Sequence, residues 1–389
     1  MRTVCYNRTV DRARWIVEET RAVGALDALR GEWDALLERS PSATLYQTWE
    51  WNEAWWRCHG RGKRLHLITV RDEGAALVGI APLYVSLHLG TPMRRLAFVG
   101  TGAADYLDIV AAEGLEVQVC AAVLERIAAS RCFDMADLQQ LRPGSALRTA
   151  AGDAAFPEAL RARLSAHEQE PCPGLLLADT WDQVAAGLGK KMRTNIGYYE
   201  RLITRSFDAV EVSIAGEAEI DEGMRALFDL HRARWRSRMM PGVLASARTQ
   251  AFHTEIARRF HARGALRLHL MRLDGRIASA LYCYRFRDRY YYYLGGFDPE
   301  LGKFSLGTVL TAHAIRQAVA EGCRLFDFLR GAEPYKYRWL PEDVMNERLL
   351  LARPRSLRAS AMLRLNRLEH HLEMRAKVWA ENWGRKVTK

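Results

Sequence analysis

Residues 290–331 read YYYYLGGFDPELGKFSLGTVLTAHAIRQAVAEGCRLFDFLRG. Aromatic residues running into a glycine pair have strand character. The stretch from Ser305 carries apolar residues at helical spacing until Gly322 stops it, and RLFDFL is a strand again. Such a strand–loop–helix–strand crossover sets a helix amino-terminus beside the end of a strand. Unpaired backbone N–H groups and the helix dipole suit an anionic ligand there. Gly302 and Gly307 permit close backbone approach, and Ser305 stands at the N-cap position. GKFSLGT lacks the lysine that a Walker loop needs after its second glycine, and an ordinary turn with a capped helix accounts for the glycines equally well.

Outward from this unit, LRLHLMRLDGRIASALYCYRF (266–286) is two strands around a turn at Asp274–Gly275, and two helical stretches, 223–238 and 248–264, precede it. About 200 residues earlier the same order occurs. RLHLITVRDEGAALVGIAPLYVSLHL is a strand pair, RRLAFVGTGAADYLDIV a second, GLEVQVCAAVLERIAAS a helix and CFDMADLQQL a strand. Helical stretches at 26–40 and up to His59 come before them. LHLITVRDEG parallels LHLMRLDGR, and VLERIAASRCFDMADL parallels AIRQAVAEGCRLFDFL. The chain therefore reads as two copies of one α+β unit. The expected boundaries are an extension at 1–25, a first domain at 26–150, a connector at 151–189, a second domain at 190–351 and a basic amphipathic helix at 352–389.

The formal charge of +11 is unevenly spread: residues 352–389 hold ten Lys/Arg against three Glu, leaving only +4 for the rest. A near-neutral body with a basic tail argues against a chain built for DNA. The tail sets Leu365, Leu368, Leu372, Trp379 and Trp383 on one stripe, with Arg358, Arg367, Arg375 and Lys377 off it. That pattern suits packing on the body or peripheral membrane contact through 356–386. The seven cysteines are scattered without C-x-x-C or Cys/His clusters, so no structural metal is expected. No apolar run long enough for a membrane span and no signal-peptide pattern is visible, so the expected location is the cytoplasm.

The strand RLFDFL runs into RGAEPYKYRW, a dense mixture of acids, bases and aromatics. With that ending, SLGTVLTAHAIRQAVAEGCRLFDFLRGAEPYKYRW, the first-copy stretch FVGTGAADYLDIV and the lead-in WDQVAAGLGKKMRTNIGYYERL resemble the CelD/BcsL-like acetyltransferases, a branch of the GNAT (acyl-CoA N-acyltransferase) superfamily. The likeness covers roughly residues 30–350, and the tandem arrangement is also similar to the Fem-type aminoacyl transferases. It implies an α+β fold of tandem GNAT-like domains, with mixed central sheets flanked by helices. It also implies direct transfer of an acyl group from acyl-CoA, acetyl-CoA first, to an amine or hydroxyl. A thioester would lie between splayed strands, and its diphosphate on Lys303, Phe304, Ser305, Leu306, Gly307 and Thr308. The loop departs from the superfamily's Q/R-x-x-G-x-G/A pattern.

In such a fold the strand end faces the acceptor. Glu333 is then the candidate base if burial raises its pKa, Tyr335 the candidate acid for the leaving thiolate, and Arg330 an anchor for Glu333 or for an acidic substrate. A buried network of Asp327, Arg330 and Glu333 is the competing reading. His231 and Trp235, at i and i+4, Tyr292 and Asp105 are candidate acceptor contacts, against core packing and turn capping. The expected acceptor is a small molecule, sugar or envelope polysaccharide precursor. Three rivals stay open: an aminoacyl-tRNA-dependent transferase using the basic helix 190–205, a non-catalytic binding module, and a peripheral membrane protein.

Overall fold

The computed structural model describes residues 15–88, 91–153, 158–161, 163–236, 246–353, 356, 358–361 and 363–364. The expected extension up to residue 14 and most of the basic carboxyl-terminal helix lie outside the described residues. The chain divides into two compact units, one of residues 1–49, 62–169 and 347–389, the other of 50–61 and 170–346. Each has the same plan.

In the first unit, strands Arg64–Arg71 and Leu77–Leu87 form a hairpin and Arg94–Phe98 joins its second strand. Helix Glu116–Ala129 crosses over to strand Met135–Leu141, which pairs in parallel with Arg94–Phe98 through Arg95↔Met135 and Leu96↔Ala136. Strand Ile16–Thr20 pairs with Arg64–Arg71 at the far edge. The carboxyl-terminal half of strand Glu342–Ala352 pairs antiparallel with Met135–Leu141. Arg348, forked onto Asp137 at 2.7 and 3.0 Å, ties that pair.

The second unit repeats the order. Strands Leu266–Leu273 and Arg276–Phe286 meet at Asp274 and Gly275, whose φ values of 48° and 79° are those of a two-residue hairpin turn. Strand Arg289–Phe297 follows, then helix Leu306–Ala320, then strand Leu325–Asp327, parallel to Arg289–Phe297. Strand Val210–Ile214 closes one edge, and the end of Leu164–Leu176 closes the other, antiparallel to Leu325–Asp327.

Helix Leu306–Ala320 is apolar on nearly every side because it is sandwiched between the sheet and helices Lys190–Ser206 and Trp181–Gly187. Its core partners include Tyr290 and Phe326, stacked at 5.5 Å. On the opposite face, Trp51 of helix Trp49–His59 packs edge-on against Phe252 of helix Ala247–Ala262. That places 50–61 in the second unit, although its sequence position is in the first domain. Residues 151–189 are also more than a connector, because they contain a long strand and a helix with a capping box, Thr180 with Gln183.

Among the described residues no helix is long and apolar enough to cross a membrane, and no group of His, Cys, Asp and Glu is placed to hold a metal.

Candidate functional site

Parallel pairing of Arg289–Phe297 with Leu325–Asp327 lasts three residue pairs and stops at Tyr291↔Asp327. The first strand runs on to Phe297, while the second turns away through Leu329 and Gly331, with φ of 58° and 110°. A cavity of about 380 Å³ occupies this part of the second unit. Its walls are Tyr292, Gly295, Gly296 and Phe297 from the continuing strand, Gly302 and Ser305–Thr308 at the start of the crossover helix, and Glu333, Pro334, Tyr335, Arg338 and Trp339 beyond the second strand. The register slips between Tyr282 and Cys283, making Tyr293 a bulged residue in the continuing strand.

The glycine pair shapes this wall. A Cβ on Gly295 would sit 2.5 Å from the Tyr292 hydroxyl, and one on Gly296 would sit 2.9 Å from Leu230 Cβ. The Gly296 carbonyl accepts from the buried Ser279 hydroxyl at 3.0 Å. Three of the four consecutive tyrosines, 290 to 292, are buried, and of the four only Tyr292 lines the cavity.

At the helix start, Ser305 adopts a left-handed conformation (φ 51°, ψ 41°). Its carbonyl takes the Thr308 and Val309 amides at 2.9 and 3.3 Å, and its hydroxyl meets that of Thr308 at 3.2 Å. Ser305 therefore occupies the cap position without capping through its side chain. The Leu306 and Gly307 amides have no acceptor among the described residues. Lys303 is exposed with its ammonium 5.0 Å from the Phe304 ring centroid, and the Phe304 side chain is buried; neither lines the cavity.

Lys336 organises the exit segment. It is 4% exposed, and its ammonium donates to the carbonyls of Leu329, Arg330 and Gly331 at 3.1, 2.8 and 3.1 Å. It also meets Glu333 at 2.9 Å. Asp327 is buried and accepts the Leu329 amide at 2.8 Å. Arg330 pairs with Glu170 at 3.4 Å. The expected buried network of Asp327, Arg330 and Glu333 is not what forms: Glu333 pairs with Lys336 and Arg330 with Glu170, and the keystone is a lysine to which the sequence reading gave no role. The density of charge in RGAEPYKYRW was visible, whereas which charge is buried depends on two positive-φ residues aiming three carbonyls at one point.

Of the candidate catalytic residues, Glu333 and Tyr335 line the cavity and Arg330 does not. Glu333 is 53% exposed rather than buried, and its cationic partner is Lys336 rather than Arg330. Tyr335 packs against Tyr292 with centroids 6.0 Å apart. Nearby Tyr337 instead donates to Asp343 at 3.0 Å, and partial burial with that carboxylate pushes its phenol up to about 12. Arg338, also missed in sequence, lines the cavity and has no acceptor or ion-pair partner among the described residues. His231 is buried on helix Ile220–Arg236 behind Gly296 and does not line the cavity. The Trp235 side chain lies outside the described residues. Asp105 belongs to the first unit, where it accepts from the Tyr46 hydroxyl at 3.2 Å.

Residues 190–337 match the family model for an acetyltransferase (GNAT) domain, which spans the crossover, both strands and most of the exit segment. A search of curated proteins gave no match. Among solved structures, the crystal structure of FemX is 12% identical with a TM-score of 0.58, covering 85% of this chain and 96% of that one. A conserved protein of unknown function from Bacteroides thetaiotaomicron is also 12% identical, with a TM-score of 0.56, covering 87% of this chain and 100% of its own. The carboxyl-terminal domain of a putative lysylphosphatidylglycerol synthetase from Agrobacterium fabrum is 12% identical with a TM-score of 0.52, covering 87% and 95%. At these identities the likeness is one of fold.

Proposed function

We propose that the second unit transfers an acyl group from a CoA thioester to an amine or hydroxyl of a small molecule, sugar or envelope precursor, as in the CelD/BcsL-like acetyltransferases. The observation that supports it most is the pair of open amides at Leu306 and Gly307, beside the Thr308 hydroxyl and facing a cavity at the end of a short parallel strand pair. Backbone donors at a helix amino-terminus hold a diphosphate without a metal. The thioester then lies along Tyr292–Phe297, with the acceptor arriving from the side of Glu333 and Tyr335. Glu333 takes the proton of the attacking group, and Tyr335 returns one to the departing thiolate.

The test is a thermal-shift screen of CoA thioesters with the native protein, Gly307→Trp and Glu333→Gln. A bound thioester at a hundredfold excess over Kd stabilises by about 2.7 kcal/mol. The Gly307→Trp variant loses the shift. Glu333→Gln keeps it and loses turnover; normal turnover in that variant makes Glu333 structural.

A second reading, an aminoacyl-tRNA donor, draws on the exposed Lys190, Lys191, Arg193 and Arg201 of helix Lys190–Ser206 and on the fold shared with FemX and the synthetase domain. It predicts a gel shift with charged tRNA that weakens steeply with salt and no thermal shift with CoA thioesters.

A further inference from the structure

A second cavity of about 250 Å³ lies in the same unit, and Trp339 lines both. Its apolar lining comes from Leu175, Leu176, Val184, Leu188 and Leu340 beside Trp339. Of its polar residues, Gln183 spends its carboxamide oxygen on the Thr180 amide at 3.2 Å, and Glu342 is exposed. Two leucines among its lining residues are unusually open to water, Leu176 at 64% and Leu340 at 59%. Leu340 moreover holds φ at 53°, the left-handed region that asparagine or glycine occupies more easily. An exposed leucine in a strained backbone position, next to another on an apolar cavity, marks a surface shaped for an apolar ligand.

We propose that this cavity receives the apolar chain of the donor's acyl group, with the Trp339 indole as the partition between the reacting end and the tail. This rests on the thioester reading above. The shared tryptophan is what commits the cavity to the donor: Trp339 is a wall of both the cavity assigned to the thioester and this one. The enzyme would then prefer medium-length acyl groups over acetyl.

The experiment titrates full-length protein with CoA thioesters from acetyl to dodecanoyl by calorimetry, in native form and as Ala178→Trp and Gly187→Trp. A Cβ on Gly187 meets nothing within 4 Å, and Ala178 is exposed, so both variants fill the cavity without displacing core atoms. Native affinity should rise by up to about fourfold per added methylene once the chain passes Trp339, and then level off. Both variants should keep acetyl-CoA affinity and lose the long-chain gain. A flat profile in the native protein, or a gain that survives in both variants, overturns the inference while acetyl-CoA binding leaves the donor reading intact. If neither CoA nor any thioester binds, both fall together.

Discussion

A buried lysine holding three backbone carbonyls is the residue on which the site's geometry rests. Removing the ammonium leaves Leu329, Arg330 and Gly331 with carbonyls that have lost a charged donor in a closed environment, and Glu333 without its partner. Lys336→Met should therefore cost about 3 kcal/mol in urea unfolding, at the lower end of the range for breaking a buried charged contact. Glu333→Gln, on an exposed carboxylate, should stay within about 0.5 kcal/mol of the native protein. That pair of measurements separates the residue that builds the exit segment from the one proposed to do chemistry on it. Equal losses in both would remove the distinction.

At the level of elements, the two glycines on either side of the cavity serve different ends. Gly296 lets helix Ile220–Arg236 approach strand Arg289–Phe297, because a Cβ there would meet Leu230 Cβ at 2.9 Å, the His231 amide nitrogen at 3.1 Å and the Leu227 carbonyl at 3.3 Å. Backbone atoms cannot yield as a flexible side chain does, so Gly296→Ala should lower stability by about 1–3 kcal/mol. At Gly307 the added Cβ makes ordinary contact with Phe297 at 3.4 Å. Gly307→Ala therefore keeps stability, or raises it by up to about 1 kcal/mol through helix propensity, while weakening thioester binding by crowding the open amide. Thermal unfolding with and without CoA checks both statements; a stable Gly296→Ala would mean that the helix and strand separate at little cost.

For the molecule as a whole, acid should be destabilising through its buried histidines, His253 and His269 of the second unit foremost. Burial pushes both His253 and His269 down to about 3, with the nearby charges of His59 and His313 acting in the same direction. His269 Nε2 lies 2.5 Å from the Tyr290 hydroxyl, and His253 Nε2 is 3.4 Å from that of Tyr293. An unfolded histidine takes up a proton near pH 6.5, which the folded state refuses until about pH 3. Below pH 6.5 the unfolded state binds more protons, so stability falls with falling pH, by up to about 1.4 kcal/mol per unit for each histidine. Urea unfolding between pH 6.5 and 5, above the carboxylate range, should show this slope, and His269→Gln should reduce it by its own share. A slope unchanged in His269→Gln would mean that the ring is protonated in the folded state.

The sequence by itself determined the class of fold and its duplication, because strand and helix periodicities are local, and both copies repeat hairpin, strand, crossover helix and strand. It also pointed to the helix start at 305–308 and to the charged exit segment, since glycine positions and charge density are read residue by residue. The edge strands Ile16–Thr20 and Val210–Ile214 were missed, both short, as were Leu164–Leu176 and Glu342–Ala352. Tertiary structure alone decided which side chains meet. Whether Glu333 pairs with Arg330 or Lys336, whether His231 reaches a cavity or fills a core, and which unit owns residues 50–61 all depend on where separate elements pack. Pairings of that kind carry no period along the chain; they follow from backbone turns such as those at Leu329 and Gly331, which aim distant groups at a common point.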